Sequence, residues 1–207
     1  MAKMDLRLTT GKRVLHLKTH GHRIYRTRIM TLFVVDTEAD GPAPGLFSMV
    51  SFGVVEFTSQ GPGETYMGEV APISPKWIPS ALAVTGVSRE QHLAYPDPKI
   101  VMPDFAAWVQ RVNKPGSRAV FVSDNPAFDW QFMNYYLWAY NDGNPFGHSA
   151  RRIGDFYAGL QGDFFARQDW KKLKITKHTH NPLDDAKGNC EALAAIMPSA
   201  KSTKTFP

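Results

Sequence analysis

Three strand-like segments precede the first long helix of this chain, and helices then alternate with one more strand. The strand candidates, rich in β-branched and aromatic residues, cover residues 31–36, 48–57, 64–70 and 118–123. Helix-like segments cover residues 79–82, 88–93, 103–112, 126–140, 153–160 and 182–197. This order predicts an α/β fold with a central mixed β-sheet flanked by helices.

The composition fits one globular domain. The 207 residues, of which 43% are hydrophobic, can bury one sizeable core but are too few for two large domains. No apolar run reaches the roughly 18 residues of a membrane span, so we expect no membrane segment. The single cysteine, Cys190, cannot form an internal disulfide and is expected in the core. It favours a reducing compartment, and we expect a cytoplasmic location.

The positive charge is concentrated at the N-terminus. Residues 1–29 carry eight Lys and Arg against one acid, whereas residues 30–207 carry 16 bases and 18 acids, a net charge of −2. The sequence pI of 9.3 therefore does not by itself indicate nucleic-acid binding. We divide the chain into a basic extension (1–29), a globular domain (30–197) and a flexible tail (198–207). The extension is expected to be disordered or to lie before the native start. Its composition fits a transit peptide or a phosphate-binding arm, and the alternative is that the true start is Met30.

Two carboxylates stand where the first predicted strand ends. Asp36 and Glu38 are two positions apart, so in an extended chain their side chains point the same way. Two like charges together are unfavourable unless a cation neutralises them. Paired carboxylate oxygens suit Mg²⁺ or Mn²⁺. The pair therefore indicates either a metal site or two solvated acids that begin a loop.

The motif Asn-Pro-x-x-Asp occurs twice, at residues 125–129 and 181–185. Asn is a strong helix N-cap and Pro fits the first helical position, so each motif predicts a helix start. On the helical wheel Asp129 and Asp185 lie on the more apolar faces, whereas Asp184 lies on the polar face. A buried acid needs a hydrogen bond, a basic partner or a metal. Together with the strand pair, the two acids favour a shared metal site over separate pairing with backbone, Lys or Arg.

Two histidines precede the second motif. His180 lies five residues before Asp185, and His178 shares its side if the segment is extended. Spacing does not choose between them, although closeness to the helix cap favours His180. An imidazole beside a metal site can accept a proton from water at neutral pH. A loop histidine is also often only solvated.

These positions together resemble the motifs of a known family. Asp36-x-Glu38, Asn125-x-x-Phe128-Asp129 and His180-x-x-x-x-Asp185 resemble the three exonuclease motifs of the DEDD superfamily in its histidine subgroup. That subgroup includes ribonuclease T, oligoribonuclease and the proofreading exonuclease subunits of DNA polymerases. The resemblance covers about residues 30–197 and implies a ribonuclease-H-like fold.

Two further segments bear on the resemblance. Residues 83–87, Ala-Val-Thr-Gly-Val, are similar to the family's apolar-Thr-Gly-Ile segment after the third strand. The chain departs from the family at Ala39 and Asp40, where many members carry threonines. Contacts to the last nucleotide through that position are therefore expected to differ.

The resemblance implies a metal-dependent 3′-5′ exonuclease that releases nucleoside 5′-monophosphates from single-stranded nucleic acid. It implies two divalent cations, Mg²⁺ or Mn²⁺, about 3.5–4 Å apart, which stabilise the entering and leaving oxygens of an in-line displacement. The resemblance implies that Asp36, Glu38 and Asp185 hold one cation. Asp36 would also bridge to the second cation, which Asp129 would support through water. His180 would be the general base. A ribonuclease-T-like exoribonuclease is the closest branch, so RNA is favoured over DNA. Relatives of this type are often homodimers.

We expect Asn125, Phe128 and Lys177 to contact the substrate. Phe128 can stack on a base, although a core position is the simpler explanation. Lys177 belongs to a basic strip with Lys171, Lys172 and Lys174, which indicates either phosphate tracking or a solvated face.

Other functions stay open at this stage. A DNA-directed exonuclease is the main alternative, because no reader of the 2′-hydroxyl can be identified. A catalytically silent exonuclease fold that binds nucleic acid or protein is disfavoured, since all five motif positions are intact. A nucleotide-binding module is disfavoured because no Gly-rich phosphate loop follows a strand.

Overall fold

The centre of the structure, a computed structural model that describes residues 30–166 and 168–202, is a five-stranded sheet. The strand order is β3-β2-β1-β4-β5, with β1 antiparallel to β2 and parallel to β4. The strands are β1 (Met30–Ala39), β2 (Met49–Thr58), β3 (Gly61–Glu69), β4 (Arg118–Ser123) and β5 (Ala150–Arg152). The predicted mixed sheet is confirmed.

Helices cover both faces of this sheet. They are α1 (Pro79–Val84), α2 (Arg89–Leu93), α3 (Pro98–Val112), α4 (Pro126–Asn141), α5 (Ile153–Gln161) and α6 (Pro182–Ser202), with a 3₁₀ helix over Asp169–Leu173. One core joins Phe33 and Val35 of β1 to α3 and α4. The other joins Val34 to α6, where Cys190 is fully buried as predicted.

The alternation of side chains along β1 decides which helix each residue meets. Phe33 and Val35 belong to the core under α3 and α4, and Thr37, two residues further, hydrogen-bonds to a side chain of α4. Val34 faces α6. Asp36 and Glu38 share the parity of Val34, so they also face α6.

β1 is longer than its sequence pattern predicts. Its parallel pairing with β4 ends at the pair of Val34 with Val122. Its antiparallel pairing with β2 continues through Glu38, so the strand runs to Ala39 instead of ending at residue 36. The alternative of two solvated acids that begin a loop is therefore wrong. Both lie inside a strand, beyond the end of its β4 neighbour.

Two other predicted boundaries differ from the structure, and one short strand was not predicted. Helix α3 begins at Pro98 rather than Pro103, because the Asp97 carboxylate accepts from the amide of Lys99 (2.8 Å) and Pro98 fits the first turn. β5 has only three residues, too few to show a periodic pattern, and was not predicted. Helix α6 continues to Ser202, past the predicted end at residue 197.

No helix within residues 30–166 and 168–202 has the length and apolar character needed to cross a bilayer. The predictions for residues 1–29 and for residues 203–207 lie outside the described part of the chain.

Candidate active site

Three carboxylates converge between β1 and α6. Asp36, Glu38 and Asp185 each offer an oxygen, and these oxygens lie within 4.8 Å of one another. Asp185 is 2% exposed, whereas its neighbour Asp184 is only half-buried. The helical-wheel assignment that separated the two aspartates is therefore confirmed.

The start of α6 lies directly on β2 because residue 53 is a glycine. Gly53 is the β2 partner of Asp36, and a Cβ at this position would collide with the backbone of Pro182 and Leu183. The Asn181 carboxamide oxygen caps α6 by accepting from the amide of Leu183 (3.0 Å). Together these features bring the first turn of α6, and with it Asp185, to the two acids of β1.

The segment before α6 wraps around the Asp185 carboxylate. Its oxygens accept from the backbone amides of Thr179 (3.1 Å) and His180 (3.0 Å). His180 has a φ of 60°, a left-handed conformation unfavourable for residues other than glycine. The Asp185 hydrogen bond stabilises this turn and so fixes where the His180 ring lies.

Both histidines reach the carboxylates. His178 Nδ1 lies 2.8 Å from an Asp185 oxygen, and His180 Nδ1 lies 3.5 Å from a Glu38 oxygen. Their ring centroids are 4.2 Å apart, so they share one side, as an extended segment predicts. The sequence motifs did not predict the contact of His178 with Asp185. The two-residue spacing between His178 and His180 was the signal that both rings could lie on the side of Asp185.

Asp129 reaches the site from the opposite face of β1. It is 4% exposed, and its Oδ1 accepts from the backbone amide (3.1 Å) and the hydroxyl (3.0 Å) of Thr37. Thr37 stands between Asp36 and Glu38, so Asp129 lies beside the three carboxylates without joining them. Its predicted burial is confirmed, and its contact with a metal stays a prediction.

Burial and charge repulsion act together in this acidic cluster, defined as Asp36, Glu38, Asp129 and Asp185, and burial is the larger cause. Burial, followed by the neighbouring carboxylates, raises the pKa of Asp36 well above its usual range. Burial, followed by Asp185 and Asp129, raises the pKa of Glu38 to about 8. Burial also raises the pKa of Asp129 to about 7, although hydrogen bonds oppose the shift.

The surroundings of the acidic cluster supply little positive charge. Within the described part of the chain, no Lys or Arg lies within ion-pair distance of its four carboxylates. Like charges so arranged need protons or an external cation. All the donors are hard carboxylate oxygens, which fits a divalent cation such as Mg²⁺ or Mn²⁺.

The predicted substrate-binding residues lie at three places around the cluster. Asn125 is exposed at the start of α4, and its side chain makes no capping hydrogen bond, so the predicted side-chain cap is wrong. Its ψ of 76° departs from the extended backbone of a capping residue, which leaves the carboxamide free. Phe128 is half-buried against Phe132, with ring centroids 5.1 Å apart. Lys177 is exposed near Asp36. Their contacts with substrate stay predictions.

A cavity of about 350 Å³ opens beside Asp36. Its lining also includes Asp124, Lys171, Lys174, Thr176, Lys177, His178 and Asn189. Lys171 pairs with Asp124 (2.6 Å), and Lys172 pairs with Asp169 (2.7 Å) instead of facing the cavity. The lysines of the basic strip therefore point to different places in the fold. The linker that carries them has no regular period, so its sequence could not predict this.

Asp40, where the chain departs from the family pattern, points away from the acidic cluster. It is fully buried, and its oxygens accept from the amide of Ser48 (2.6 Å) and the guanidinium of Arg89 (3.0 Å). This carboxylate therefore anchors the loop after β1 to α2 and is not available to a substrate.

Two acids on the central strand, one acid from each of two flanking helices and adjacent histidines define a 3′-5′ exonuclease of the DEDD type. No family model matches the chain. The chain is 41% identical over 169 residues to the 3′-5′ DNA exonuclease Cap18 of Escherichia coli, covering 78% of this chain and 89% of that protein. It therefore belongs to the family of 3′-5′ exonucleases that includes Cap18, and is a hydrolase.

Solved structures confirm the ribonuclease-H-like fold. The nuclease domain of 3′hExo, a DEDDh family member bound to rAMP, superposes with a TM-score of 0.65 at 18% identity, covering 83% of this chain and 94% of that chain. Exonuclease X in complex with 5′ overhanging duplex DNA gives a TM-score of 0.60 at 18% identity, covering 82% and 93% of the two chains. At these identities the likeness establishes the fold alone.

Proposed function

We propose that the chain removes nucleotides singly from the 3′ end of single-stranded DNA and releases nucleoside 5′-monophosphates. The observation that carries this proposal is the convergence of Asp36, Glu38 and Asp185 within 4.8 Å. DNA is favoured because Cap18, 41% identical, is a DNA exonuclease. The preference for RNA drawn from the sequence resemblance has no comparable support.

The acidic cluster would hold two divalent cations, Mg²⁺ or Mn²⁺. Asp36, Glu38 and Asp185 would bind one, and Asp36, supported by Asp129, would bind the other. When bound, such cations stabilise the charge of the reacting phosphate and lower the pKa of water. The chain itself contributes the fixed geometry, since Gly53 and the Asn181 cap position Asp185 against β1.

His180 would accept the proton of the attacking water. Its side chain is 43% exposed, so water can reach the ring, and Nδ1 faces Glu38, which leaves Nε2 for the proton. His178 is the matched control, because its Nδ1 is already in contact with Asp185. We expect His180→Ala to lower kcat at least about 100-fold while Mn²⁺ binding is retained, and His178→Ala to have a far smaller effect. The reverse order would assign the proton transfer to His178.

The activity is tested with 5′-labelled single-stranded DNA and RNA of the same sequence. With Mg²⁺ or Mn²⁺ the DNA should shorten stepwise from its 3′ end, and a chelator should stop the reaction. Faster shortening of RNA would overturn the proposed DNA preference. Binding without any shortening would support the alternative of a catalytically silent fold.

A further inference from the structure

Lys174 differs from the other lysines of the basic strip. Lys171, Lys172 and Lys177 are exposed, and the first two each have a carboxylate partner. Lys174 is half-buried, and across residues 30–166 and 168–202 no carboxylate lies within ion-pair distance of its ammonium group. Burial lowers the pKa of Lys174, and the charges of Asp124, Asp185 and Asp36 only partly oppose this shift, so an anionic ligand would stabilise the ammonium group further.

The side chain of Lys174 packs near Trp170 and Gly188, and Glu191 holds the backbone that follows it. Its Nζ lies 5.4 Å from the ring centroid of Trp170, a fully buried residue. Gly188 of α6 leaves space for the stem, since a Cβ there would lie 3.3 Å from Lys174 Cδ and 2.6 Å from the Thr176 carbonyl oxygen. Glu191 accepts from the Thr176 amide (2.7 Å) and hydroxyl (2.9 Å). A side chain so restrained loses less conformational entropy on binding a ligand than an exposed lysine does.

A second unpartnered group lines the same cavity. Asn189 lies on α6 one turn after Asp185 and is 1% exposed, and its side-chain oxygen has no hydrogen-bond partner among the described residues. Rotation of the carboxamide exchanges its oxygen and its NH₂ group, so Asn189 can donate to an anion. Buried polar groups are almost always satisfied, so this carboxamide is available to a ligand in the cavity.

The position of the cavity indicates which anion it takes. Asp36 forms part of its wall, so an occupant lies beside the acidic cluster. A strand whose 3′ end is cleaved there must bring its phosphodiesters past these acids, which repel them. An ammonium group that bonds to a phosphate oxygen offsets the repulsion.

We propose that Lys174 and Asn189 form a phosphate site that binds a phosphodiester of the nucleic-acid strand beside the acidic cluster. This inference rests on the proposed function and adds to it two residues that contact the substrate. Lys171 and Lys172, which are exposed and paired with carboxylates, contribute mainly a diffuse, salt-sensitive attraction.

The test compares Lys174→Gln with Lys172→Gln, an exposed lysine of the same strip. For single-stranded DNA we expect Lys174→Gln to lower kcat/KM about 10- to 100-fold, as for the loss of one charged hydrogen bond. Lys172→Gln should remain within about twofold of the wild type, because exposed ion pairs contribute little. Lys174→Arg should recover part of the loss. Equal rates for Lys174→Gln and Lys172→Gln would overturn the proposal.

A set of altered substrates separates phosphate contact from a structural effect. A neutral methylphosphonate is placed singly at each linkage near the 3′ end, and thymidine 5′-monophosphate p-nitrophenyl ester provides a substrate with one phosphodiester. The ratio of wild-type to Lys174→Gln rates should fall to about one when the contacted phosphate is neutral. If Lys174→Gln also cleaves the ester more slowly than the wild type, the contact lies at the scissile phosphate. The proposal would be overturned if the ratio of wild-type to Lys174→Gln rates were the same at every methylphosphonate position and the two proteins cleaved the ester at equal rates.

Two controls keep the outcomes distinct. If Lys174→Gln does not fold, Lys174→Met takes its place in the same comparison, because the methionine keeps an apolar stem over Trp170. A wild-type protein that cleaves neither DNA nor the ester contradicts the proposed function, whereas a failure confined to Lys174 contradicts only the phosphate site.

Discussion

The buried acids of this protein fall into two groups with opposite surroundings. Asp40 is matched by the positive charge of the Arg89 guanidinium at 3.0 Å and by the amide of Ser48, which donates to its other oxygen. The acidic cluster has backbone and hydroxyl donors, and histidines at its edge, but no Lys or Arg of the described residues within ion-pair distance. An acid paired inside the fold needs no external partner, whereas acids without such partners require protons or a cation from solution.

Asp40 follows Glu38 by only two residues, just after β1 ends at Ala39. Strict alternation would place Asp40 on the same side as Asp36 and Glu38. The register of β1 on β2 shifts between Glu38 and Ala39, and such a bulge redirects the side chains that follow. Asp40 thereby turns to Arg89, and Glu38 remains the last acid of the cluster.

The largest expected effect comes from Asp36→Asn. We expect kcat on single-stranded DNA to fall at least about 1,000-fold, because Asp36 would contact both cations. The free energy of unfolding of the metal-free protein should stay the same or rise, since one of several repelling charges is removed. Rates and thermal unfolding measured on the same preparation check both parts. More than a tenth of the wild-type rate would contradict the role of Asp36.

Asp185→Asn and Asp184→Asn form the next pair. We expect the first to lower kcat about 100-fold or more and the second to leave it within about twofold, because only Asp185 faces the cluster. Steady-state rates at saturating Mn²⁺ provide the measurement. A larger loss for Asp184→Asn would show that the other face of α6 carries the function.

Asp40→Asn should change stability rather than chemistry. Removing one partner of a buried ion pair is expected to cost about 3 kcal/mol, because Arg89 stays with its side chain only 18% exposed. The Tm should fall by about 6–12 °C for a chain of this length. The rate per folded molecule, measured well below the unfolding transition, should remain near that of the wild type. A stable variant without activity would instead place Asp40 at the substrate.

The metal-free protein should lose stability as the pH rises. The pKa of Glu38 increases on folding from 4.5 to about 8, so the folded state binds the extra proton between these values and its stability falls as that proton is lost. Glu38→Gln should flatten this dependence, which thermal unfolding at several pH values can measure. Saturating Mn²⁺ should raise the Tm of the wild type by about 5–10 °C, most near pH 8. A metal-free Tm that rises towards pH 8 in both proteins would contradict the assignment.

Periodicity explains which parts of the site the sequence could predict. Asp36 and Glu38 share a side because strand side chains alternate, and Asp185 separates from Asp184 because helix positions turn by about 100°. These are local rules, so they hold before the tertiary fold is known. The mixed sheet followed from the order of the elements for the same reason.

Tertiary contacts decide the rest. The extension of β1 to Ala39 depends on its pairing with β2, and the approach of α6 depends on Gly53 in another strand. The linker that carries Lys174 has no regular period, and its position depends on Gly188 and Glu191. No local pattern contains this information, so the sequence could not predict which lysines of the basic strip face the cavity.

Mn²⁺ titrated into the metal-free protein by calorimetry tests the difference between the two groups of acids most directly. The wild type and Asp40→Asn, both measured below the unfolding transition, should bind Mn²⁺ with similar affinity. Asp36→Asn should bind at least about tenfold more weakly, because it removes a ligand shared by both cations. Undiminished Mn²⁺ binding by Asp36→Asn, or its loss in folded Asp40→Asn, would contradict the assignment of the acidic cluster as the metal site.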